Sequence, residues 1–325
     1  MTVRAPDQAA IAAGAQALAA GRLVGFPTET VYGLGADALD PDAVASVFRA
    51  KGRPTDHPLI CHVADAAGAE ALVAGMTPAA RALADAFWPG PLTLVMHRAP
   101  AVPDAVTGGR DTVAVRVPAH PVALALLGAF GGPVAAPSAN RFGRPSPTRA
   151  RDVVEELGDA AAIVIDGGPC AIGIESTVVD MTTDPPQVLR PGRISAAQLS
   201  QVLGRPVAAR ASGPARAPGM LESHYAPGAR VEVVDDPARA VQRAMAFSTA
   251  GEHVAVLAPG PLSDVPAGCT ELGPAGSPDD YAARLYAAFR RADAEEVQVI
   301  IAVPPPAEGI GVAVRDRLAR AAAGR

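Results

Sequence analysis

Short apolar runs alternate with helix-start signals along the chain, and this alternation restricts the possible fold more than any other feature of the sequence. The runs Leu92–His97 and Thr112–Val117 lack a strict polar alternation, which is typical of strands in a sheet that is covered on both faces. Asp40 and Pro41 supply the N-cap and first-turn residues of a helix that we expect to end at Lys51. The pattern predicts a mixed α/β fold.

The same signals place further elements before and after a break in periodicity. Before the break we expect helices over Asp7–Ala20 and from near Thr77, His120 and Thr148, and strands at Leu23–Phe26, Leu59–Val63, Val134–Ala136, Ala162–Ile165 and Thr177–Asp180. After the break we expect strands at Val231–Val234, Val254–Leu257 and Val297–Val303, alternating with helices at Pro237–Phe247, Pro278–Ala292 and from about Gly311.

Proline–glycine pairs between Gly204 and Gly228 mark the break. We therefore predict a first domain over residues 1–204, a linker over 205–228 and a small α/β domain over 229–325. The regular alternation of β and α in the last part fits a doubly wound, Rossmann-like domain.

Charge and cysteine content exclude several classes of protein. The chain has 325 residues with 28 Lys and Arg against 33 Asp and Glu, a formal charge of −5, which argues against duplex binding through a broad basic surface. Cys61, Cys170 and Cys269 are scattered and form no CxxC, which argues against a disulfide framework or a structural zinc site. The sequence shows neither a secretory signal pattern nor an apolar run of membrane-spanning length, so we expect a cytoplasmic protein.

The chain contains one lysine, Lys51, and one asparagine, Asn140. Lys51 stands two residues before Arg53 at the predicted end of a helix, and such a cationic pair can hold a polyphosphate. The alternative is that both cations only stabilise the helix C-terminus. No GxxxxGK[ST] pattern is present, so this is not a Walker A loop.

Asn140 follows Ser138 after a strand, and the absence of GxSxG around Ser138 argues against a serine nucleophile.

The segment from Phe26 to Gly35 has the sequence FPTETVYGLG and clusters hydroxyls, a carboxylate and a phenol. Residues Gly33 to Ala38 match the GxGxxG/A pattern by letter, but the glycines do not directly join a strand to a helix, so a dinucleotide turn is not expected. We expect a polar loop between two apolar elements, the kind of segment that often forms sites in α/β folds. A solvated connection is the alternative.

Arg116 lies in an otherwise apolar strand and shares one face of it with Thr112 and Ala114. A buried arginine requires an anionic partner, which is either a carboxylate of the chain or the carboxylate of a ligand. His57 and His62 make a weak case for zinc because no cluster of ligands accompanies them. His62 is expected to form hydrogen bonds at a strand end, with a satisfied buried histidine as the alternative.

Seven motifs follow one another in a fixed order over residues 21 to 194: PTETVYGLG, KGRP with HPLICH, PGPLT, VAVRVP, PSAN, GIESTVVD and LRPG. In this order they closely resemble the YrdC-like threonylcarbamoyl-AMP synthases. The later segment PGMLESHYAP, followed by a small α/β domain, is similar to the long two-domain form of that family. The resemblance implies a first domain with a mixed, twisted sheet and helices around a concave site.

The resemblance also implies a nucleotidyltransferase that converts L-threonine, bicarbonate or CO2, and ATP into threonylcarbamoyl-AMP and pyrophosphate. The product supplies the threonylcarbamoyladenosine modification of tRNA through separate transferase proteins, whereas direct tRNA binding is left open. By the same resemblance the catalytic residues are Lys51 and Arg53, no protein-bound metal is required, and Mg2+ arrives with ATP. The implied L-threonine site contains Thr30, Tyr32, His62, Arg116, Ala136 and Ser176. The implied ATP site contains Lys51, Arg53, His57, Thr112, Ser138, Asn140, Ser146, Arg190, His224 and Tyr225.

His224 and Tyr225 stand in the proline-rich linker, so the linker is expected to act as a lid over the nucleotide. Two other functions are kept as alternatives. The first is an RNA-binding module without catalysis, and the second is a carbamoyltransferase that uses carbamoyl phosphate. Threonine-dependent release of pyrophosphate from ATP separates the expected enzyme from the RNA-binding module. Substituting carbamoyl phosphate for threonine and bicarbonate separates it from the carbamoyltransferase.

Overall fold

The computed structural model describes residues 2–208, 224–274 and 276–323, which form two compact units. Of these residues, the first unit holds 2–142, 147–171 and 175–208. The second unit holds 143–146, 172–174, 224–274 and 276–323.

The helices and strands of the first unit are, in chain order, β1 (Thr2–Arg4), α1 (Gln8–Ala19), β2 (Val24–Phe26), β3 (Gly33–Asp37), α2 (Pro41–Lys51), β4 (Ile60–His62), α3 (Ala66–Glu70), α4 (Pro78–Phe87), β5 (Leu92–His97), α5 (Asp104–Thr107), β6 (Thr112–Arg116), α6 (Pro121–Phe130), β7 (Val134–Ala135), α7 (Ala150–Leu157), β8 (Ile163–Ile165), β9 (Thr177–Asp180), β10 (Gln187–Arg190) and α8 (Ala196–Leu203). The ten strands form one sheet in the order β1-β8-β2-β3-β7-β4-β6-β5-β9-β10. The sheet contains parallel pairs such as β4 with β6 and antiparallel pairs such as β5 with β6, so the predicted mixed sheet is confirmed.

Local capping residues determine the helix that ends at Lys51. The Asp40 side chain accepts hydrogen bonds from the first free backbone N–H groups of α2, and Pro41 occupies the first turn, where no N–H is needed. Gly52 ends the helix in the left-handed conformation at φ 61°, which a glycine adopts without steric cost. The predicted start and end of this helix are confirmed.

The sequence interpretation of residues 26–35 as one polar loop is wrong in its last part. Gly33 and Gly35 belong to β3, which pairs antiparallel with β2. Glycine has low strand propensity, so the letters did not indicate a strand. The glycine at 35 allows close packing, because a Cβ there would lie 2.7 Å from Cγ1 of Val134 and 2.9 Å from the ring of Phe26.

The two faces of the sheet are covered differently. One face packs against α2, α4, α7 and α8 in an extensive core. At one end of the opposite face, β2, β7 and β8 pack against α1 and α6. Farther along that face lies a group of buried side chains that comes entirely from strands, here called the strand-only cluster: Ile60, Val95, Ala114, Val178 and Leu189.

The second unit contains β11 (Arg230–Val233), α9 (Pro237–Thr249), β12 (Val254–Ala258), β13 (Thr270–Pro274), α10 (Pro278–Ala294), β14 (Val299–Ala302) and α11 (Gly311–Ala322). Its four strands are all parallel, in the order β11-β14-β12-β13. The crossovers from β11 to β12 and from β13 to β14 run in opposite directions along the sheet, so right-handed connections place α9 and α10 on opposite faces. The predicted doubly wound arrangement is confirmed.

Two short segments from within the predicted first domain belong to this second unit. The carbonyl oxygen of Gly143 accepts a hydrogen bond from Ala226 N at 2.8 Å, and Arg144 forms a 2.6 Å ion pair with Asp293. The prediction assigned these segments, 143–146 and 172–174, to the domain 1–204, whereas their contacts group them with the C-terminal residues. Of the predicted linker 205–228, residues 209–223 lie outside the described residues.

Candidate functional site

Polar side chains border the strand-only cluster on the same face of the first unit's sheet. Side chains alternate across a strand, so residues two positions apart share a face. Several polar residues lie two positions along the chain from a member of this cluster. They are His62 near Ile60, Thr93 near Val95, Thr112 and Arg116 on either side of Ala114, and Ser176 near Val178. The strand register pairs His62 with Arg116 directly, so two predicted threonine-site residues are neighbours.

Arg116 is 3% exposed and contacts three groups of the chain. Its Nε donates to Gly90 O at 3.1 Å and its Nη1 donates to Thr30 Oγ1 at 3.0 Å. Its Nη2 lies 2.6 Å from Oε1 of Glu29. Of the two partners that the sequence left open for Arg116, the structure therefore contains a carboxylate of the chain.

The loop before β3 holds Thr30 in place through its own hydroxyls. Thr28 Oγ1 donates to Val31 O at 2.6 Å and lies 2.8 Å from Thr30 Oγ1. Tyr32 does not contact Thr30 or Arg116 through its hydroxyl. That hydroxyl donates a hydrogen bond to Gly168 O at 2.8 Å and accepts one from Gly167 N at 3.1 Å. Burial, followed by the charge of Asp166, raises the pKa of the Tyr32 phenol above its usual value. The structure thus joins Thr30 to Arg116 and directs Tyr32 to a neighbouring loop.

His62 is buried beside Arg116 and is held neutral. Burial, with the Arg116 charge as the second cause, lowers its pKa to about 3. Its Nδ1 lies 3.2 Å from Ile60 O, so an Nδ1–H can donate to that carbonyl and leave Nε2 as an acceptor. Ala136 N also donates to Ile60 O, at 2.9 Å, so the backbone N–H of Ala136 is used within the sheet.

We predict that His62 makes the folded protein less stable as the pH falls. The pKa is about 3 in the folded protein against 6.5 for an ordinary histidine, so the unfolded chain takes up the proton first. The stabilisation is complete above pH 6.5 and is lost progressively as the pH falls toward 3. Between pH of about 7.5 and about 5 the loss should be about 2 kcal/mol.

Urea unfolding of the wild type and of His62→Asn at the two pH values measures this loss. The same substitution at His97, whose side chain is 61% exposed, is the matched control and should keep the wild-type pH dependence. An unchanged pH dependence in His62→Asn would contradict the prediction.

Ser176 connects the predicted threonine site to a residue assigned to ATP. Its Oγ accepts from Nη2 of Arg190 at 3.0 Å and lies 2.7 Å from Oγ1 of Thr93, and Arg190 Nε also donates to Ser176 O at 3.0 Å. Arg190 is therefore oriented by Ser176 rather than standing apart from the threonine residues. Sequence reasoning did not select Thr93, although its position two residues before Val95 would have placed it on the site face.

The only lysine holds the segment that carries the only asparagine. Lys51 Nζ donates to Ser138 O at 2.5 Å and to Asn140 O, and Lys51 O accepts from Phe142 N at 2.9 Å. Ser138 Oγ in turn donates to Oδ1 of Asn140 at 2.5 Å. Burial, followed by the charge of Arg53, lowers the pKa of the Lys51 ammonium well below its usual value, and Glu156 opposes this shift.

Arg53 and His57 lie against the ring of Phe142. The Arg53 guanidinium is 5.7 Å from the ring centroid, and the His57 ring centroid is 5.6 Å away. Arg53 Nη2 also donates to Pro58 O at 3.3 Å. Burial, followed by the Arg53 charge, lowers the pKa of His57. Phe142 was not selected from the sequence, because an aromatic residue beside a polar motif gives no signal of its own.

Three residues assigned to ATP belong to the second unit: Ser146, His224 and Tyr225. Ser146 is fully buried. Tyr225 is 1% exposed, with the His224 ring 4.1 Å and the Tyr286 ring 5.6 Å from it, and the Arg317 guanidinium 5.2 Å above its ring. His224 N donates to Arg320 O at 3.3 Å. Their assignment to the ATP site stays a prediction.

Within residues 2–208, 224–274 and 276–323, no group of three or more His, Cys, Asp or Glu side chains is arranged to hold a metal ion. The helices in these ranges include none that is both long and apolar enough to span a membrane.

Comparison with protein-family models gives two adjacent matches. A model described as telomere recombination matches residues 16–192, and a model described as threonylcarbamoyl-AMP synthase, C-terminal domain, matches residues 194–323. Together they extend over both units.

Curated relatives and a solved structure agree with these models. The threonylcarbamoyl-AMP synthase of Pyrococcus abyssi is 44% identical over 93% of this chain and 90% of its own length. The Bacillus subtilis protein of the same name is 42% identical over 97% of this chain and 93% of its own length. The crystal structure of P. abyssi Sua5 complexed with L-threonine has a TM-score of 0.92 at 40% identity and covers 100% of this chain and 98% of that one. The chain therefore belongs to the threonylcarbamoyl-AMP synthase family.

Proposed function

We propose that the protein is a nucleotidyltransferase that converts L-threonine, bicarbonate or CO2, and ATP into threonylcarbamoyl-AMP and pyrophosphate. The names of the curated relatives and the threonine complex of P. abyssi Sua5 support this reaction. The observation that carries it in this chain is the buried Arg116, which lies with hydroxyls and a neutral histidine on one sheet face. Separate transferase proteins would then pass the threonylcarbamoyl group to tRNA.

In this proposal the carboxylate of L-threonine binds the guanidinium of Arg116. Thr30, His62 and Ser176 supply neutral hydrogen-bonding groups around it, and the carbonyl of Ala136 adds a backbone acceptor. The hydrogen bonds of Arg116 to Thr30 Oγ1 and Gly90 O hold the guanidinium in one orientation before the substrate arrives. Tyr32 contributes indirectly, because its hydroxyl fixes the 166–168 loop.

The nucleotide would bind to three basic residues of the first unit, Lys51, Arg53 and Arg190. Arg53 is a two-pronged donor suited to phosphate, and Lys51 holds the segment in which Ser138 and Asn140 carry directional polar groups. Within the first unit, His57 and Thr112 complete the proposed contacts. The assignment of Ser146, His224 and Tyr225 to ATP stays a prediction from the sequence. Mg2+ would enter bound to the phosphates of ATP.

The chemistry we propose needs no covalent enzyme intermediate. The threonine ammonium first loses a proton, and the free amine then adds to CO2 and releases a second proton to form a carbamate. A carbamate oxygen then attacks the α-phosphorus of ATP in line. The new bond joins that oxygen to phosphorus while the bond to the β-phosphate oxygen breaks, and pyrophosphate leaves. Catalysis then comes from positioning and from cations that offset phosphate charge.

Pyrophosphate release from ATP by the purified full chain tests the proposal. We expect release only when L-threonine and bicarbonate are both present. Pyrophosphate release that does not depend on threonine, or no release at all, contradicts the proposed reaction. An RNA-binding module would bind tRNA without releasing pyrophosphate, and a carbamoyltransferase would accept carbamoyl phosphate in place of threonine and bicarbonate.

A further inference from the structure

A buried ion pair joins Glu29 to Arg116 inside the proposed threonine site. The atoms in contact, Glu29 Oε1 and Arg116 Nη2, are 2.6 Å apart, and the two side chains are 12% and 4% exposed. The other carboxylate oxygen of Glu29 accepts a hydrogen bond from Ala119 N at 3.1 Å. Glu29 is therefore anchored by the backbone that follows β6, and it is not simply a mobile counter-ion.

The hydrogen-bonding capacity of this pair is incomplete. Arginine and carboxylate groups usually form two parallel N–H···O bonds, and a buried pair is stable only when its remaining donors and acceptors are satisfied. Here the pair makes one close contact, and among the described residues neither Glu29 Oε1 nor Arg116 Nη2 forms a well-aligned hydrogen bond, although both atoms are buried. Both charges can therefore still bind a third group of complementary charge.

We propose that Glu29 binds the ammonium group of L-threonine while Arg116 binds the carboxylate of the same molecule. This inference rests on the proposed function, because it assigns a new residue to the same substrate. An α-amino acid carries both charges on one carbon, so it matches a carboxylate and a guanidinium that are already adjacent. The bound zwitterion adds no net charge to the buried site, which limits the cost of desolvation.

The proposal gives Glu29 a role in specificity. A carboxylic acid without the amine would place its negative charge beside Glu29 without an ammonium to balance it, and like charges in close contact weaken binding strongly. The site should thus discriminate against hydroxy acids that match threonine in every other group. (R)-3-hydroxybutyrate is such a molecule, because it keeps the carboxylate, the hydroxyl and the methyl group of L-threonine and lacks only the amine.

Calorimetric titration of the full chain with L-threonine and with (R)-3-hydroxybutyrate tests the proposal. Wild type should bind threonine at least about 10-fold more tightly than the analogue. Glu29→Gln, which keeps the shape and removes the charge, should weaken threonine binding by about 10- to 100-fold, as expected when a charged hydrogen-bond partner is lost. The same variant should bind the analogue more tightly than wild type does, because the repulsion is gone.

Glu70→Gln is the matched control, because Glu70 forms a 2.7 Å ion pair with Arg81 on the surface and away from the site. It should bind both ligands as wild type does. ATP binding and the thermal melting point of Glu29→Gln show whether that variant is folded. If it is not folded, the wild-type preference for threonine over the analogue decides the question alone.

Two results overturn the inference. One is equal or tighter threonine binding by a folded Glu29→Gln, which would make Glu29 a competitor for Arg116 or a structural residue. The other is equal binding of threonine and the analogue by wild type. Failure of wild type to bind threonine at all, with or without ATP, is a different outcome and rejects the proposed function itself.

Discussion

Replacing Arg116 by glutamine is expected to weaken L-threonine binding by about 100-fold or more, because the substrate carboxylate loses its charged, pre-oriented partner. The guanidinium is held by Thr30 Oγ1 and Gly90 O before substrate binds, and glutamine is too short and uncharged to replace it. Calorimetric titration with threonine measures the loss. Binding within a few-fold of wild type would remove Arg116 from the site.

This variant also leaves Glu29 buried without its cation, so a loss of stability must be separated from a loss of binding. Removing one partner of a buried ion pair costs about 3 kcal/mol or more. The double variant Arg116→Gln/Glu29→Gln contains no buried orphan charge and should recover most of that stability in urea unfolding. It should still fail to bind threonine, because a recovered fold does not restore the guanidinium.

Replacing Lys51 by alanine is expected to slow threonine-dependent pyrophosphate release by about 100-fold or more, the size typical of a lost electrostatic donor. The change removes a basic side chain from the proposed nucleotide site. It also leaves the carbonyls of Ser138 and Asn140 without their shared donor, so the segment that carries both residues loses its support. Pyrophosphate release at saturating threonine measures the rate.

Arg49→Ala is the control for Lys51, because Arg49 is a cation in the last turn of the same helix but is exposed. It should release pyrophosphate at the wild-type rate. Measuring the KM for ATP and the single-turnover rate separately shows whether Lys51 acts on nucleotide binding or on the chemical step. A near wild-type rate for Lys51→Ala would show that the lysine has neither role.

The elements that were predicted well are those determined by neighbouring residues. The helix from Pro41 to Lys51 has its start and end encoded by Asp40 and Gly52, which act over a few positions of chain. The strand Leu92–His97 has the composition of a buried strand and forms over the expected residues. The helix Ala196–Leu203 was missed although Ser195 and Gln198 form a capping box, a signal that was present and unused.

The residues that were missed at the site depend on contacts between distant parts of the chain. Glu29 lies in the motif PTETVYGLG, yet nothing near it in the sequence indicates that it pairs with Arg116. Thr93 contacts Ser176 because β5 and β9 are neighbours in the sheet. The strand Gly33–Asp37 was missed because its glycines gave no strand signal, whereas its pairing with β2 and β7 is a tertiary contact.

The sequence by itself determined the α/β class, the order of motifs that identifies the family and the need of Arg116 for an anion. Composition and spacing suffice for these conclusions, because they depend on residue types and on short stretches of chain. Only the tertiary structure decided that Glu29 is that anion, that Lys51 supports the Ser138–Asn140 segment and that residues 143–146 belong to the second unit. Those contacts follow from strand order and register, which arise when the whole chain packs and which no local window of sequence contains.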